Sequence, residues 1–265
     1  MTAGLALGVT GMGAFLPGAP DWPSLREVLL GHRDPDPVAR AKPAAAILPA
    51  AERRRAPEGV LLAVEVAAQA CAMAACAPAA LPCVFASTHG EISITDYVCT
   101  TLANAPLDLS PTKFHNSVLN APAGYWTIAT GCTAASSAVS ACHCSVGAGL
   151  LEAASIACSE ATPVLFALED VAAAGPLAAV LGTRTPFGMA LVLTPATGGI
   201  RIRLEPCARP VDAPLPTIPP ALHATAGNPS STQALALLAA LAAASPARLL
   251  LPLSSGLSLA LEILP

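Results

Sequence analysis

Hydrophobicity along this chain changes period many times, and the sharpest change lies in residues 138–154, AVSACHCSVGAGLLEAA. Before it, residues 136–141 are small and alternate as a strand does; within it, Val146, Leu150 and Leu151 return at helical spacing. The pattern predicts a strand, a tight turn at Cys142-His143-Cys144, and a helix that Ser145 can cap. A corner of this kind exposes one side chain and points backbone N–H groups at whatever docks there.

The other apolar runs fall on either side of this corner. Residues 5–9 predict a first strand, closed by turns at Gly11-Met12-Gly13 and Pro17-Gly18. Residues 22–30 read as a short amphipathic helix, 35–49 as a proline-rich surface connection, and 60–76 as a long helix with an apolar face at Leu61, Val64, Ala68 and Cys71. A short buried strand at 83–87 runs into Thr88-His89-Gly90-Glu91, and a helix follows at 92–104. Residues 109–123 read as an irregular segment carrying Lys113, His115, Asn116 and Asn120; polar groups this dense either wall a site or satisfy loop backbone. Strands at 163–168, 187–194 and 200–205 precede a proline-rich loop at 207–229, a capped helix at 231–244 and one or two strands in 249–264. Strands alternating with helices argue an α/β class, its mixed or parallel sheet covered on both faces.

Composition narrows the classes. With 265 residues, 54% hydrophobic, 11% charged and 3% aromatic, the chain can bury a full core, packed closely through small side chains, in one unit or two packed halves. Mean hydropathy is +0.62, yet no helical apolar tract reaches the roughly 18–20 residues of a membrane span, so none is expected. Net charge is -4 and the basic residues are dispersed apart from Arg53-Arg54-Arg55, which argues against a nucleic-acid partner. The triplet suits a solvated helix start or contact with an acidic carrier. The first residues lack a basic leader, and the nine cysteines lie mostly in apolar patterns as small buried hydrophobes, which together point to the cytoplasm. Gly11-Met12-Gly13 lacks the third glycine of a dinucleotide loop, so no cofactor is expected. Cys142-His143-Cys144 offers zinc-type ligands, but adjacent residues at a strand end diverge and no paired C-x-x-C completes a site, so no metal is expected.

Asn120-Ala121-Pro122-Ala123-Gly124-Tyr125, followed by Ile128, Gly131 and Ser136 to Ser145, resembles the N-terminal half of β-ketoacyl synthases. Gly8-Val9-Thr10-Gly11-Met12-Gly13 resembles their opening strand, and Val84 to Gly90 their second core strand. The resemblance implies a thiolase-like fold, layered α/β/α, with a synthase-like N-terminal domain at 4–205 and a truncated C-terminal half at 206–265 packed on the same core. FHNSVLNAPAGYW together with GLLEAA is similar, more specifically, to the short synthase-like proteins called chain length factors in aryl polyene clusters.

Aligned without gaps from Asn120, the synthase pattern places its nucleophile on His143, and a one-residue slip puts Cys142 or Cys144 there. Ala129-Thr130-Gly131-Cys132-Thr133 also mimics the elbow, at Cys132, but misses the spacing to Val164. Condensation needs a thiolate and histidine donors that the family supplies from its C-terminal half. Here the only histidine after His143 is His223, in the proline-rich loop with no synthase motif around it. Two readings follow. In the first, the chain is a non-catalytic chain length factor that pairs with an active ketosynthase as a heterodimer. Ser136, Ala138 and Ser140 then form the interface, His115, Asn116, Asn120 and Cys132 wall the cavity, and an acyl carrier protein is a transient partner. In the second, it is a free-standing acyl-thioester transferase or hydrolase using Cys142 or Cys144, with His115 or His89 as base.

Overall fold

The first strand, β1 (Leu5–Phe15), runs straight through Gly11-Met12-Gly13, where the glycines predict a turn. The reason lies in the helix above it, α3 (Glu58–Met73). A Cβ on Gly11 would overlap the Ala70 carbonyl, and one on Gly13 the Val66 carbonyl, so these glycines serve close approach of the α3 backbone rather than chain reversal. The computed structural model describes residues 4–36, 42–195, 198–208, 217–223 and 229–265; the expected connection at 35–49 and the proline-rich loop at 207–229 lie partly outside them.

After β1 come α1 (Trp22–Leu29), α2 (Ala50–Arg55), α3, β2 (Cys83–Ala86), α4 (Ile92–Asn104), α5 (Pro111–His115) and α6 (Ala121–Thr130). β3 (Ser136–Val139), α7 (Ser145–Glu160), β4 (Val164–Asp170), α8 (Ala178–Leu181), β5 (Phe187–Thr194) and β6 (Ile200–Ala208) follow, then α9 (Pro229–Ala243), β7 (Ala247–Pro252) and β8 (Leu257–Ile263). Among the described residues the strands form one mixed sheet, in the order β3-β2-β4-β5-β1-β6-β8-β7. β2 is parallel to both β3 and β4, while β5, β1, β6, β8 and β7 join antiparallel. β6 runs across residue 205, and β8 pairs along it from Ile202 to Ala208, so the chain after 205 continues the same sheet.

Strand side chains alternate between two cores, as the two-residue pleat requires. Val84, Ala86, Phe166 and Leu168 face one core with Leu25 of α1, Leu150 of α7 and Leu238 of α9. Cys83, Phe85, Leu165 and Ala167 face the other with Leu62 and Val66 of α3 and Trp126 of α6. The layers are therefore α/β/α, as expected. α7 approaches closely because it too carries glycine: a Cβ on Gly149 would lie 2.6 Å from the Phe166 ring.

The segment 109–123 differs from its expected irregularity. Pro111 lies in the first turn of α5, where the Ser110 hydroxyl accepts from the Lys113 amide at 3.4 Å, and Pro122 lies in the first turn of α6. A proline in a first turn has no helical hydrogen bond to lose, so both prolines start helices here. The strand expected at 136–141 ends at Val139, and α7 begins on Ser145 itself, with Cys144 at the cap position making no side-chain cap. Arg53, Arg54 and Arg55 fill the last turn of α2 rather than a helix start, where cations oppose the negative end of the helix dipole.

The glycine contacts make a direct test. Gly13→Val should force α3 off β1 and destabilise the protein by about 1–3 kcal/mol or more, read as a lower urea midpoint with an unchanged slope.

Candidate functional site

The corner between β3 and α7 stands at the edge of the sheet. Cys142 holds φ at +49°, a left-handed conformation that side chains other than glycine rarely adopt. Its side chain is exposed, as is that of His143, whereas Cys144 is buried. The left-handed residue is thus the thiol one position before His143. Backbone bonds from Cys144 N to Ala141 O (2.9 Å) and from Ser145 N to Cys142 O (3.1 Å) close the turn.

Ser145 does more here than the cap expected of it. Its hydroxyl accepts from Ala141 N at 3.0 Å and lies 2.7 Å from Cys142 O and 3.0 Å from Ser87 O, so one buried oxygen ties the elbow to the end of β2. Ser140 donates to Thr88 O at 3.0 Å. The Ser87-Thr88 turn is held in its turn by Asp170 at the end of β4, which is 3% exposed. Its carboxylate accepts from Thr88 N (2.7 Å), Thr88 Oγ1 (2.6 Å) and Ser87 Oγ (3.2 Å). From the other side, Gln233 Nε2 of α9 donates to His143 O at 2.9 Å, and Ser230 Oγ lies 3.5 Å from Cys142 O. The strand expected at 163–168 stops short of Asp170 and so misses it, although an acid closing a buried apolar run is its signal. Gln233, the last of four polar residues opening an otherwise apolar helix, carries no such signal.

A groove of about 570 Å³ opens between α2, α5 and α6. His115, Val118, Asn120, Tyr125 and Ile128 line it, and Gly124 leaves its floor open, with nothing within 4 Å of where a Cβ would stand. His115 and Asn120 therefore do reach a common wall. Asn116 is buried beside it and accepts from the Tyr125 hydroxyl at 3.2 Å, while Lys113 leaves the wall to stack 3.8 Å over the Tyr97 ring. Cys132 does not line the groove. It precedes β3, at the opposite end of the strand from the elbow, and its thiol lies 3.3 Å from Leu81 O. A helix before it and a strand after it is the reverse of an elbow. Ser136 and Ser140 are exposed and Ala138 half-buried along the free edge of β3.

The structure separates the thiols by environment. Burial, with Cys132 nearby, pushes the Cys83 thiol up to about 12, and burial with Cys76 nearby pushes Cys71 higher still. Among the described residues no histidine ring is hydrogen-bonded to Cys142. The His223 ring has its Nε2 3.3 Å from Ile218 O. Among the described residues, too, no group of three or more His, Cys, Asp or Glu side chains is placed to hold a metal ion.

The model of the beta-ketoacyl synthase N-terminal domain matches residues 31–249. No curated protein matches the sequence. Among solved structures, the chain is similar to one from a ketosynthase (ApeO) in complex with its chain length factor (ApeC) from Xenorhabdus doucetiae. That likeness has 23% identity and a TM-score of 0.70 over 97% of this chain and 99% of that one. The ishigamide ketosynthase/chain length factor gives 15% identity and a TM-score of 0.68 over 98% and 99% of the chains. A chain of the AntDE:AntF complex, a type II PKS acyl-carrier protein with its ketosynthase, gives 12% and 0.73 over 99% of both. At these identities the likeness establishes a thiolase-like ketosynthase fold.

Thiol accessibility checks the site. At neutral pH a maleimide should label the exposed Cys142 and Cys99 of the native protein first. Cys71 and Cys83 should label only after unfolding, as read by peptide mass mapping.

Proposed function

This chain belongs to the family of β-ketoacyl synthase N-terminal domains, and from that premise we propose that it works as a non-catalytic chain length factor, pairing with an active ketosynthase in aryl polyene or related polyketide biosynthesis. The observation that carries the reading is the free edge of β3 together with the apolar surface beside it. Ser136, Ala138 and Ser140 leave that edge lined by small side chains. On the neighbouring helices Ile128 is 84% and Phe114 60% exposed, and Val118 and Leu119 are partly exposed as well. Apolar surface of this kind beside an unpaired strand edge is what an obligate partner covers. The solved structures of the same fold include ketosynthase/chain length factor assemblies, which supports the choice of partner.

The elbow supports a non-catalytic role. A condensing site needs histidine donors converging on its thiol, and among the described residues no histidine ring is hydrogen-bonded to Cys142. The groove beside α6 supplies an apolar wall with the polar handles His115, Asn120 and Tyr125, suited to an acyl chain held between the two subunits. Arg53, Arg54 and Arg55 end α2, with Arg55 beside His115 and Tyr125, and suit an acidic acyl carrier protein as a transient partner. Residues 4–205 make up the synthase-like part and 206–265 brace its elbow through α9. No helix among the described residues is long and apolar enough to cross a membrane, and the assembly works in the cytoplasm.

Co-expression with the cognate ketosynthase should give a heterodimer burying more than about 1,200 Å² in total. Ala138→Phe should overpack the edge and break it, at about 1–3 kcal/mol or more; an unchanged complex on gel filtration would remove β3 from the interface.

His143→Cys in the isolated chain should not restore condensation, because a thiol there still lacks donors for the carbanion and oxyanion. Carbon dioxide release from malonyl-carrier is the readout. Turnover by that lone variant, or stable acylation of Cys142 or Cys144 in the unmodified protein, would favour a free-standing acyl-thioester enzyme.

A further inference from the structure

Glu169, the residue before Asp170 in β4, carries one carboxyl oxygen, Oε2, that neither the elbow nor the groove uses. It is 4% exposed, and its Oε2 has no hydrogen-bond partner. That oxygen is aimed at the first turn of α3: it lies 3.0 Å from where a Cβ on Gly59 would stand, and Glu91 Oε2 lies 3.1 Å from the same point. Glu91 accepts from Gly59 N at 2.9 Å. The residue preceding α3, Pro57, offers no side-chain cap, so the cap comes from Glu91, just before α4. Two carboxyls from different elements therefore converge on one helix start, in a narrow cleft closed on its far side by Asn116, Leu119 and Pro122.

The two acids are not equivalent. Glu91 receives the Gly59 N–H at the helix N-terminus. Glu169 Oε2 receives none. The ionisable groups around it are Asp170 on its own strand, Glu91 before α4 and, across Glu91, Glu58 on α3, where Lys42 is the nearby cation. Burial first, then the charges of Asp170 and Glu91, hold the Glu169 carboxyl well above the usual carboxylate range, against a lowering contribution from a Ser87 hydrogen bond. Burial and Glu91 raise Glu58 as well.

We propose that Glu169 is a proton-binding residue: its carboxyl stays protonated in the folded protein at neutral pH and donates to the Glu91 carboxylate, and this acid–carboxylate pair latches β4 and the Gly90-Glu91 turn to the start of α3. The proton is taken from solvent on folding and returned to it at alkaline pH. Two like charges then face each other across Gly59, and the cleft toward Asn116 and Leu119 opens. The latch acts within one chain and does not depend on any partner.

The sign follows from linkage. A carboxyl raised on folding stabilises the protein fully below its unfolded value, and this contribution is lost as pH rises through the folded value. The experiment is urea unfolding of the full chain between about pH 5 and pH 9, as wild type and as Glu169→Gln, an amide that keeps the shape and cannot ionise. The ratio of wild-type to variant folding constants should fall as pH rises, by up to about tenfold per pH unit, with the variant the more stable at the alkaline end. Parallel profiles would overturn the proposal. Should Glu169→Gln fail to fold, the infrared spectrum of the wild type decides: a protonated-carboxyl stretch should be present in the folded protein at neutral pH, vanish on unfolding and survive in Glu58→Gln. Absence of the band, or its loss in Glu58→Gln, would overturn it equally.

Discussion

The corner at residues 140–145 depends on one buried carboxylate. Asp170 ends β4, and by accepting from Thr88 N, Thr88 Oγ1 and Ser87 Oγ it fixes the turn that leaves β2. The carbonyls of that same turn then hold Ser140 and Ser145. A buried carboxylate is stable only when its oxygens are satisfied, and charge-assisted bonds of this kind are about twice as strong as neutral ones. The left-handed conformation of Cys142 costs energy locally and is maintained because the residues on both sides are over-determined by these bonds. Gln233 and Ser230 extend the bracing from α9, so the C-terminal part of the chain belongs to the elbow as much as to the sheet.

Close approach is the second constraint. The chain is poor in aromatic residues and rich in alanine, and its two longest helices, α3 and α7, lie against the sheet at distances that exclude a Cβ at Gly11, Gly13 and Gly149. Each fully buried Leu or Phe contributes roughly 1.5–3 kcal/mol, whereas alanine contributes much less. Stability therefore rests on tight interdigitation over many small contacts. This is also why Cys71 and Cys83 matter little chemically: they fill space in the α3 core, and burial keeps their thiols protonated.

The same economy of side chains is absent around β3. There the outer side of the edge strand has no partner strand among the described residues, and Phe114, Val118 and Ile128 stand in solvent beside a groove large enough for a small molecule. Of the sheet's two edge strands among the described residues, β3 and β7, it is β3 that has this apolar flank beside it. The elbow presents an exposed thiol, and among the described residues no histidine ring is hydrogen-bonded to it.

Much of this was written in the sequence because it depends on local rules. The α/β alternation, the buried strands at 83–86 and 187–194, the helix at 92–104 and the strand–corner–helix at 136–160 follow from period and apolar runs, which tertiary contacts reinforce. The family resemblance, too, rests on consecutive residues. What tertiary structure decided was the meaning of punctuation. Gly11 and Gly13 read as a turn until α3 is placed over them, and Pro111 and Pro122 read as breakers until their first-turn positions are known. Which of three adjacent residues takes the left-handed corner, and that Gln233 reaches it from a distant helix, depend on contacts between segments far apart in the chain. No periodicity records such contacts, because a hydrogen bond across that separation is specified by where the two backbones end up and not by either local pattern.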